Sequence, residues 1–449
     1  MKLRLNVCGL VALAALSCGS SSSNNAGITT MGTLGEPATA LISGNLVFVN
    51  ASMNAMDEDP GYFGMLIDSG SPVVLIDPSL FNKTPPTTNA QIPTKVNLGL
   101  IGASGQPVVV IDNTPVLQVS NAMMDALGFG GILGGDVMQK FPVQLDYAAP
   151  MMEGFCLGCT ASTTRTDVQL PGGVVPFTLA GGGTTSVNLG TNAQGQPINS
   201  PVIAIPPTRI PVNVFFDGTD SSDEHLCILD TGATEVSLRS TVYAGLVSDG
   251  RAQLTSGIAI MTIAGASNAS VSRAKSITVG GVTISDPPVM TIVSNDPSQP
   301  DPLLDNISND ELHEQIDCLL GGSFLRNFLV TIDYPGGQLH LQPYVTPPIP
   351  DEFRRVGFTI GLDASGMNFV VSSVYPNTDA ATQGVMVNDE IASVDGTSLI
   401  SVGYVATADA LLDGTPGTSK MITFGKKTGN AALANTTISI MVDDLIPNP

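Results

Sequence analysis

The chain has 449 residues, of which 17 are Lys or Arg and 39 are Asp or Glu, so its formal net charge is −22. Charged residues make up 12% of the chain, about half of the usual share, and 43% are hydrophobic. Such a chain has few cations to displace counterions from phosphates and too much apolar content for disorder, which argues against a nucleic-acid partner and against an intrinsically disordered protein. The 48 glycines and 32 prolines, with Val, Ile and Thr between them, predict many short strands in two to four domains.

The amino terminus has the pattern of an export signal over residues 1–17. Lys2 and Arg4 supply a positive start, and an apolar core follows from Val7 to Leu16. This core is shorter than the ~20 apolar residues that a transmembrane helix needs. We therefore predict a signal peptide rather than a membrane span.

The segment Ala15-Leu16-Ser17-Cys18 resembles the lipoprotein box of bacterial lipoproteins, although Leu is commoner at the position of Ala15. The resemblance implies lipidation at Cys18, and the absence of aspartate after it favours an outer-membrane lipoprotein of the bacterial cell envelope. Cleavage by the general signal peptidase is the alternative, and the protein would then be periplasmic or extracellular. Residues 18–38 follow as a polar tether.

Four further cysteines remain after removal of the signal: Cys156, Cys159, Cys227 and Cys318. An even number in an oxidising compartment predicts two disulfides. Cys156 and Cys159 form a lone C-x-x-C pair with no second pair and no histidine nearby. We therefore predict a local Cys156–Cys159 disulfide and no metal site.

The chain contains an internal duplication, because several short segments recur in the same order. The second copy has a Pro- and Asp-rich insertion over Ser294–Glu314, which predicts a surface loop. The matched pairs are Ile67-Asp68-Ser69-Gly70 and Leu229-Asp230-Thr231-Gly232, Gly102-Ala103-Ser104 and Gly265-Ala266-Ser267, Ile132-Leu133-Gly134-Gly135 and Leu319-Leu320-Gly321-Gly322, and Asp146-Tyr147 and Asp333-Tyr334.

Two carboxylates at matching positions of a duplication suggest a chemistry of their own. Carboxylates at hydrogen-bonding distance cannot both ionise cheaply, so Asp68 and Asp230 would share one proton. The ionised member can take a proton from water while the protonated member donates to a carbonyl oxygen. This pair can therefore hydrolyse a peptide bond without a metal or another cofactor.

The Asp-Ser/Thr-Gly segments and the apolar-apolar-Gly segments resemble those of aspartic proteases of the pepsin and retropepsin clan. The resemblance implies an all-β bilobal acid-protease fold whose active site lies between two related β lobes. Lobe 1 would be residues 39–150, the inter-lobe connection residues 151–195 and lobe 2 residues 196–345. Polypeptides would be the substrates, and we expect a monomer.

By this resemblance Asp68 and Asp230 are the catalytic pair. The hydroxyl residues that follow them would lock the two loops together, and the glycines would permit tight turns. These supporting residues are Ser69, Gly70, Thr231 and Gly232. The clan also places the strand before the second aspartate beside the strand of the second Gly-Gly segment, which implies a Cys227–Cys318 disulfide.

The residue after each Asp-Ser/Thr-Gly segment differs between the copies. Ser71 resembles the serine of pepsin-like enzymes, whose hydroxyl supports the aspartate, whereas Ala233 is typical of retropepsins and has no hydroxyl. Loss of that donor favours the protonated carboxyl, so we expect activity at milder pH than that of gastric enzymes.

A flap over the cleft is expected in each lobe. Residues 100–106 contain no aromatic residue to match the tyrosine of a pepsin flap, so a pair of retropepsin-like flaps is the better match. We assign these flaps to Gly102-Ala103-Ser104 and Gly265-Ala266-Ser267.

Beyond a proline-rich linker at residues 346–350, residues 351–447 resemble a small α+β bacterial PDZ domain of the circularly permuted kind. The turn before Gly396 and the Pro416-Gly417-Thr418 turn carry this resemblance. It implies that Phe358-Thr359-Ile360-Gly361 form the carboxylate-binding loop and the strand that C-terminal peptides join. Residues Val405 to Leu412 would form the helix beside that groove.

These features favour a secreted, lipid-anchored aspartic endopeptidase whose PDZ domain recruits peptides or substrates. Two alternatives stay open: a catalytically inactive, two-lobed, peptide-binding envelope protein, and a structural envelope protein. A PDZ module that only packs on the protease and binds nothing is also open. The intact Asp68 and Asp230, each with a hydroxyl neighbour, favour the enzyme.

Overall fold

The computed structural model describes most of the chain after residue 28. The described residues are 8–9, 29–43, 45–53, 62–77, 80, 92–118, 129–149, 153–185, 188–191, 197–199, 203–248, 250–254, 259–262, 265–294, 300–363, 367–402, 408–409, 411–426 and 436–446. Most of the predicted signal, including the lipidation site Cys18, lies outside these residues. Within them, no helix is both long enough and apolar enough to cross a membrane.

The structure is mostly β, as the frequent turn residues predict. Strands are numbered β1–β36 along the chain. The first sheet has eight strands, seven from the first copy of the duplication and one, β2, from the segment predicted as a tether. They are β2 (Thr29–Gly32), β4 (Ala40–Ser43), β5 (Leu46–Met53), β6 (Phe63–Ile67), β7 (Val74–Ile76), β8 (Ile92–Ile101), β9 (Pro107–Gln118) and β10 (Gly131–Leu133).

The second sheet has ten strands, nine of them from the second copy. They are β1 (Cys8–Gly9), β18 (Pro211–Phe216), β19 (Glu224–Leu229), β20 (Val236–Leu238), β21 (Ala259–Thr262), β22 (Gly265–Arg273), β23 (Ser276–Val279), β24 (Val282–Ser285), β25 (Pro288–Val293) and β26 (Cys318–Leu320).

A third, six-stranded sheet joins the two copies. Its central strands β11 and β27 come from different copies and pair antiparallel, from Pro142 opposite Asp333 to Asp146 opposite Leu329. Its strands are β3 (Pro37–Ala38), β11 (Pro142–Asp146), β12 (Phe155–Leu157), β13 (Gly173–Pro176), β27 (Phe328–Asp333) and β28 (Gln338–Pro343). Two small hairpins lie between β13 and β18: β14 (Gly183–Thr185) with β17 (Ile203–Ile205), and β15 (Asn188–Thr191) with β16 (Pro197–Asn199).

The fourth sheet lies in the predicted PDZ region. It contains β30 (Phe358–Leu362), β31 (Phe369–Val374), β32 (Glu390–Val394), β33 (Thr397–Ser398), β34 (Ser419–Lys426) and β35 (Thr437–Met441), and a separate pair joins β29 (Arg354–Arg355) to β36 (Asp443–Asp444). The described helices are short: α1 (Gly135–Met138), α2 (Ser240–Val247), α3 (Pro302–Asn306), α4 (Gly322–Leu325), α5 (Asp379–Thr382), α6 (Leu399–Val402), a 3₁₀-helix (Ser221–Asp223) and a π-helix (Ile307–Leu312).

The duplication is visible in the strand pairing. In each copy, the strand before the aspartate runs parallel to the strand of the apolar-apolar-Gly segment, with Ile67 opposite Leu133 in one and Leu229 opposite Leu320 in the other. The last three residues of the strand before each aspartate, 65–67 and 227–229, are apolar and buried, as are all three residues of the strands that pair with them. Each copy therefore places its aspartate directly after a buried strand end.

Both cysteine pairs are joined by disulfides. Cys227 and Cys318 lie opposite each other on the parallel strands β19 and β26, with Cα atoms 4.5 Å apart. Cys156 and Cys159 are bonded with their Cα atoms 5.6 Å apart.

The Pro- and Asp-rich insertion is not only a surface loop. Pro302 occupies the first turn of α3, where its missing N–H needs no partner. Leu304 and Ile307 are buried against the apolar side chains of the second sheet. The prediction of a loop was wrong for residues 302–312, because two apolar residues spaced three apart suffice to bury one face of a short helix.

Side chains from the fourth-sheet region pack directly on the second sheet. Phe353 and Ile446 belong to the same apolar cluster as Ile228 and Met290. Arg273, whose side chain is fully buried, forms ion pairs with Asp351 at 2.6 Å and with Asp444 at 3.1 Å. The carboxy-terminal region is therefore attached to the rest of the protein by apolar and ionic contacts as well as by the linker.

Candidate active site

The two aspartate loops meet and are locked together by reciprocal hydrogen bonds. The Ser69 N–H donates to the Thr231 hydroxyl at 2.9 Å, and the Thr231 N–H donates to the Ser69 hydroxyl at 3.1 Å. Each hydroxyl also donates across to the partner strand, Ser69 to the Leu229 carbonyl and Thr231 to the Ile67 carbonyl, both at 2.9 Å. These four buried bonds fix the position of one carboxylate relative to the other.

The apolar-apolar-Gly segments hold each loop from behind. The Asp68 N–H donates to the Leu133 carbonyl and the Asp230 N–H to the Leu320 carbonyl, both at 3.1 Å. The following glycines donate back to the loops at 2.8 Å, Gly135 to the Ser71 carbonyl and Gly322 to the Ala233 carbonyl. The shared backbone pattern explains why both sequence segments recur together.

The glycine in each loop leaves room for the opposite carboxylate. A Cβ atom on Gly70 would lie 2.5 Å from Cγ of Asp230, and one on Gly232 would lie 2.4 Å from Cγ of Asp68. Any side chain there would clash with the aspartate carboxylate of the opposite loop. Glycine is required here by this close approach of the two loops.

Gly70→Ala is expected to displace the Asp230 carboxylate and, for the protease activity that the sequence resemblance implies, to lower the rate of peptide cleavage by about 10²-fold, the loss typical of a misplacement near 1 Å. Cleavage of an unfolded protein, together with circular dichroism to verify folding, measures this effect. Gly245→Ala is the matched control, because a Cβ on Gly245 in α2 meets nothing within 4 Å. Wild-type activity in Gly70→Ala would contradict this arrangement of the loops.

Both carboxyl groups are buried, and burial raises their pKa values. For Asp68, burial and then the neighbouring Asp230 charge raise the pKa well above its usual range. For Asp230, burial raises the pKa to about 6, although Asp68, Arg209 and backbone N–H groups oppose the shift. Since the two groups interact, one proton is shared between them, and the larger rise in pKa falls on Asp68.

The hydroxyl of Ser71 does not contact the aspartate. It donates to the Val73 carbonyl at 2.8 Å, while the Ser71 backbone N–H donates to Asp68 Oδ1 at 2.9 Å. In the second copy the Gly232 N–H donates to Asp230 Oδ1 at 2.9 Å. The support expected from the Ser71 hydroxyl is therefore supplied by backbone N–H groups instead.

The sequence did not reveal Arg209, a charged residue that lies near Asp68 and Asp230, the two aspartates of the catalytic dyad that the resemblance implies. Arg209 precedes β18 and is only 1% exposed. Its positive charge lowers the pKa of both Asp68 and Asp230. Its backbone pairs with that of Ala180 on both sides, with N···O distances of 2.9 and 3.0 Å. No motif marked it, because an isolated arginine before a strand has no sequence signature.

The two predicted flaps occupy different places in the topology. Gly102, Ala103 and Ser104 form the turn between β8 and β9, and a Cβ on Gly102 would lie 3.7 Å from the Pro37 carbonyl. Pro37 pairs with Cys156 in the third sheet. The turn thus lies beside the sheet that joins the copies, and its assignment as a flap is not supported.

The strand pairing explains the mismatch. β9 runs parallel to β7, and in the second copy β25 runs parallel to β20, so β8–β9 corresponds to β22–β25. Gly265, Ala266 and Ser267 instead lie in β22, which forms a hairpin with β21 through Thr262 and Gly265. In the first copy, the residues directly before β8, 81–91, lie outside the described part of the chain.

The predicted peptide-binding residues lie on an edge of the fourth sheet. Phe358, Thr359, Ile360 and Gly361 belong to β30, which pairs with β31 at the end of the strand order. The predicted neighbouring helix is described only in part, at residues 408–409 and 411–412. An edge strand presents unpaired backbone groups that another extended segment can join.

A buried polar cluster behind the second aspartate loop was also missed. Arg326 Nη1 donates to Asn45 Oδ1 at 2.9 Å and forms an ion pair with Glu352. Asn45 Nδ2 in turn donates to the Thr234 carbonyl, at 3.2 Å. The cluster links the first sheet, the second aspartate loop and the start of the fourth-sheet region, which no local motif can reveal.

Family comparisons agree with two parts of this arrangement. Residues 216–324 match the aspartyl protease family, and residues 349–422 match the PDZ domain family. The protease match contains the second aspartate loop and the Leu319–Gly322 segment but does not extend to the first copy. A comparison with curated proteins finds no match. The chain therefore contains an aspartyl protease domain and a carboxy-terminal PDZ domain.

Proposed function

We propose that the protein is an aspartic endopeptidase in which Asp68 and Asp230 together activate a water molecule between two related lobes. The observation that carries the proposal is the reciprocal lock between Ser69 and Thr231, with each aspartate packed against the glycine of the other loop. A purely structural duplication has no need to bring two carboxyl groups into one buried site. The buried polar cluster behind the second aspartate loop and the third sheet, which joins the two copies, support a rigid frame for this site.

The mechanism follows from the unequal pKa values of the pair. Asp230, the more readily ionised member, takes a proton from water, and the resulting hydroxide attacks the carbonyl carbon of the substrate. Asp68 donates its proton to the carbonyl oxygen, which stabilises the tetrahedral intermediate. Collapse of the intermediate breaks the C–N bond: the leaving amine takes the proton held by Asp230, and a hydroxyl of the gem-diol returns a proton to Asp68, which leaves a carboxylic acid and regenerates the pair. Arg209 favours the ionised form of Asp230 without contacting water in this scheme.

The same pKa values predict the pH dependence. Activity requires Asp230 ionised and Asp68 protonated, so the rate rises as the pH increases through about 6 and falls when the shared proton is lost. Burial, rather than the missing hydroxyl at Ala233, is the main cause of the raised Asp230 pKa, and it predicts an acidic limb at milder pH than that of gastric enzymes.

The test is cleavage of a denatured protein by the full chain between pH 3 and 9, with and without pepstatin and with fragments identified by mass spectrometry. A bell-shaped profile with an acidic limb near pH 6 and inhibition by pepstatin are expected. Absence of any pepstatin-sensitive cleavage over this range would exclude the endopeptidase and favour an inactive peptide-binding protein.

We further propose that the protein is exported and anchored by a lipid on Cys18 in the bacterial cell envelope. The support is the charged start, apolar core and lipoprotein box of residues 1–18. Incorporation of labelled palmitate into the wild-type protein, but not into Cys18→Ala, tests this anchor. The PDZ domain would then present an edge strand for extended peptides close to the protease.

A further inference from the structure

The open side of β30 already carries an acceptor supplied by the same domain. The Ile360 N–H donates to Asp409 Oδ1 at 2.9 Å. β30 is a terminal strand of the fourth sheet, and Asp363 N–H, three residues further on, donates to the Asn368 carbonyl on the β31 side. Since N–H directions alternate along a strand, Ile360 points its N–H away from β31. In the carboxylate-binding loop that the PDZ resemblance implies for residues 358–361, a terminal carboxylate would compete with Asp409 for this N–H.

Asp409 also forms an ion pair with Arg355, the cationic residue that precedes β30. Arg355 Nη2 lies 2.8 Å from Asp409 Oδ2 and donates to the Asp409 carbonyl at 2.9 Å. Arg355 Nε lies 3.5 Å from Asp413 Oδ1, and the Arg355 side chain is only 7% exposed. The guanidinium is therefore enclosed by two aspartates of its own domain, and its charge is compensated before any ligand binds.

The negative charge at this site comes from Asp409. Burial raises the pKa of Asp413 to about 8 despite the opposing effect of Arg355, so Asp413 is mainly protonated at neutral pH. One carboxylate and one guanidinium then give a neutral pair. A second carboxylate at the Ile360 N–H would lie next to Asp409 and would be repelled by it.

We propose that Asp409 is a built-in carboxylate of the peptide groove, so that β30 binds internal extended segments rather than free carboxyl termini. The inference rests on the proposed peptide-binding function of the PDZ domain. An internal segment brings neutral peptide groups, which can pair with the outward backbone groups of β30 on either side of Ile360. Unfolded stretches of a protease substrate have this chemistry.

The probe is a random heptapeptide library displayed in two formats. In one format the heptapeptide ends in a free carboxyl terminus, and in the other it is flanked by further chain on both sides. The full chain carrying Asp68→Asn serves as bait, so that bound peptides are not cleaved. Selected heptapeptides are then synthesised as free acids and as carboxy-terminal amides, and fluorescence anisotropy gives both Kd values. We expect the flanked library to yield peptides that bind the bait. We also expect the carboxy-terminal amides of selected peptides to bind at least as tightly as the free acids.

Asp409→Ala, which frees the Ile360 N–H, is expected to shift the acid-to-amide preference toward the acid by about tenfold, the effect of one charge-assisted hydrogen bond. Asp409→Asn, which keeps an acceptor but removes the charge, should give a smaller shift in the same direction. Asp395→Asn is the matched control, because Asp395 is an exposed aspartate of the β32–β33 turn. A change in domain stability alone would alter both Kd values and leave their ratio unchanged.

Two results would overturn the inference while leaving peptide binding intact. One is a tenfold preference of the Asp68→Asn bait for free acids. The other is an acid-to-amide ratio that neither Asp409 variant changes. Failure of both libraries to yield any binder, with Asp409 either present or replaced, would instead refute the proposed peptide-binding function, and the inference with it.

Discussion

Asp68→Asn and Asp230→Asn are each expected to lower the rate of peptide cleavage by on the order of 10³-fold, within the range for loss of a positioned acid or base. An amide at either position retains the size and hydrogen-bonding capacity of the carboxyl group but can neither accept the proton from water nor hold the shared proton. The loops should stay assembled, because the lock is made by Ser69, Thr231 and backbone groups rather than by the carboxylates.

The measurement compares initial cleavage rates at the pH optimum with thermal unfolding of the same preparations. The midpoint of unfolding should be equal to or higher than that of the wild type, because each variant removes a buried ionisable group. Asp220→Asn is the control, since Asp220 is an exposed aspartate that leaves the dyad intact. If either dyad variant retains wild-type activity while folded, Asp68 and Asp230 do not form the catalytic pair.

The aspartate loops could be predicted from the sequence because their geometry is local and repeated. Asp-Ser/Thr-Gly and the apolar-apolar-Gly segments each encode one buried strand and one tight turn, and two copies in the same order imply that the turns face each other. The glycines at 70 and 232 carry the same information, since only a residue without a side chain fits against the opposite carboxylate.

The flap of the first copy could not be predicted in the same way. Gly-Ala-Ser specifies a turn but not which hairpin contains it, and that choice depends on the pairing of β9 with β7, more than 30 residues away along the chain. Residues 239–264 separate β20 from β22 in the second copy, whereas only residues 77–91 separate β7 from β8 in the first, so equal spacing from the aspartate does not mean an equivalent position.

The polar cluster behind the second loop was unpredictable for a different reason. Asn45 lies 281 residues before Arg326 and 307 residues before Glu352. Each of the three is an ordinary polar residue in its local sequence context. What distinguishes them is burial. Only the packing of the PDZ domain on the second sheet removes these groups from water, and that packing has no periodic signature.

Arg326→Met is expected to lower the free energy of unfolding by about 3–5 kcal/mol, the usual effect of leaving a buried charge without its partner. Burial opposes ionisation of Glu352, but the Arg326 guanidinium outweighs it and lowers the Glu352 pKa to about 2. Without Arg326, this carboxylate would have to take up a proton or draw in water. Denaturant unfolding of the full chain, monitored by circular dichroism, measures the change.

The surroundings of Arg326 predict which second changes restore stability. Burial and then the neighbouring Glu352 raise the pKa of Glu235 well above its usual range, which favours the neutral form of Glu235. Glu235→Gln keeps a donor at this position and should leave stability unchanged, whereas Arg326→Met combined with Glu352→Gln should recover most of the loss, because no unpaired charge is then buried. Equal destabilisation by the single and double variants would mean that packing, and not charge, is the contribution of Arg326. Recovery in the double variant would instead identify the unpaired Glu352 carboxylate as the cause of the loss, within a cluster that reaches the Thr234 carbonyl of the second aspartate loop through Asn45.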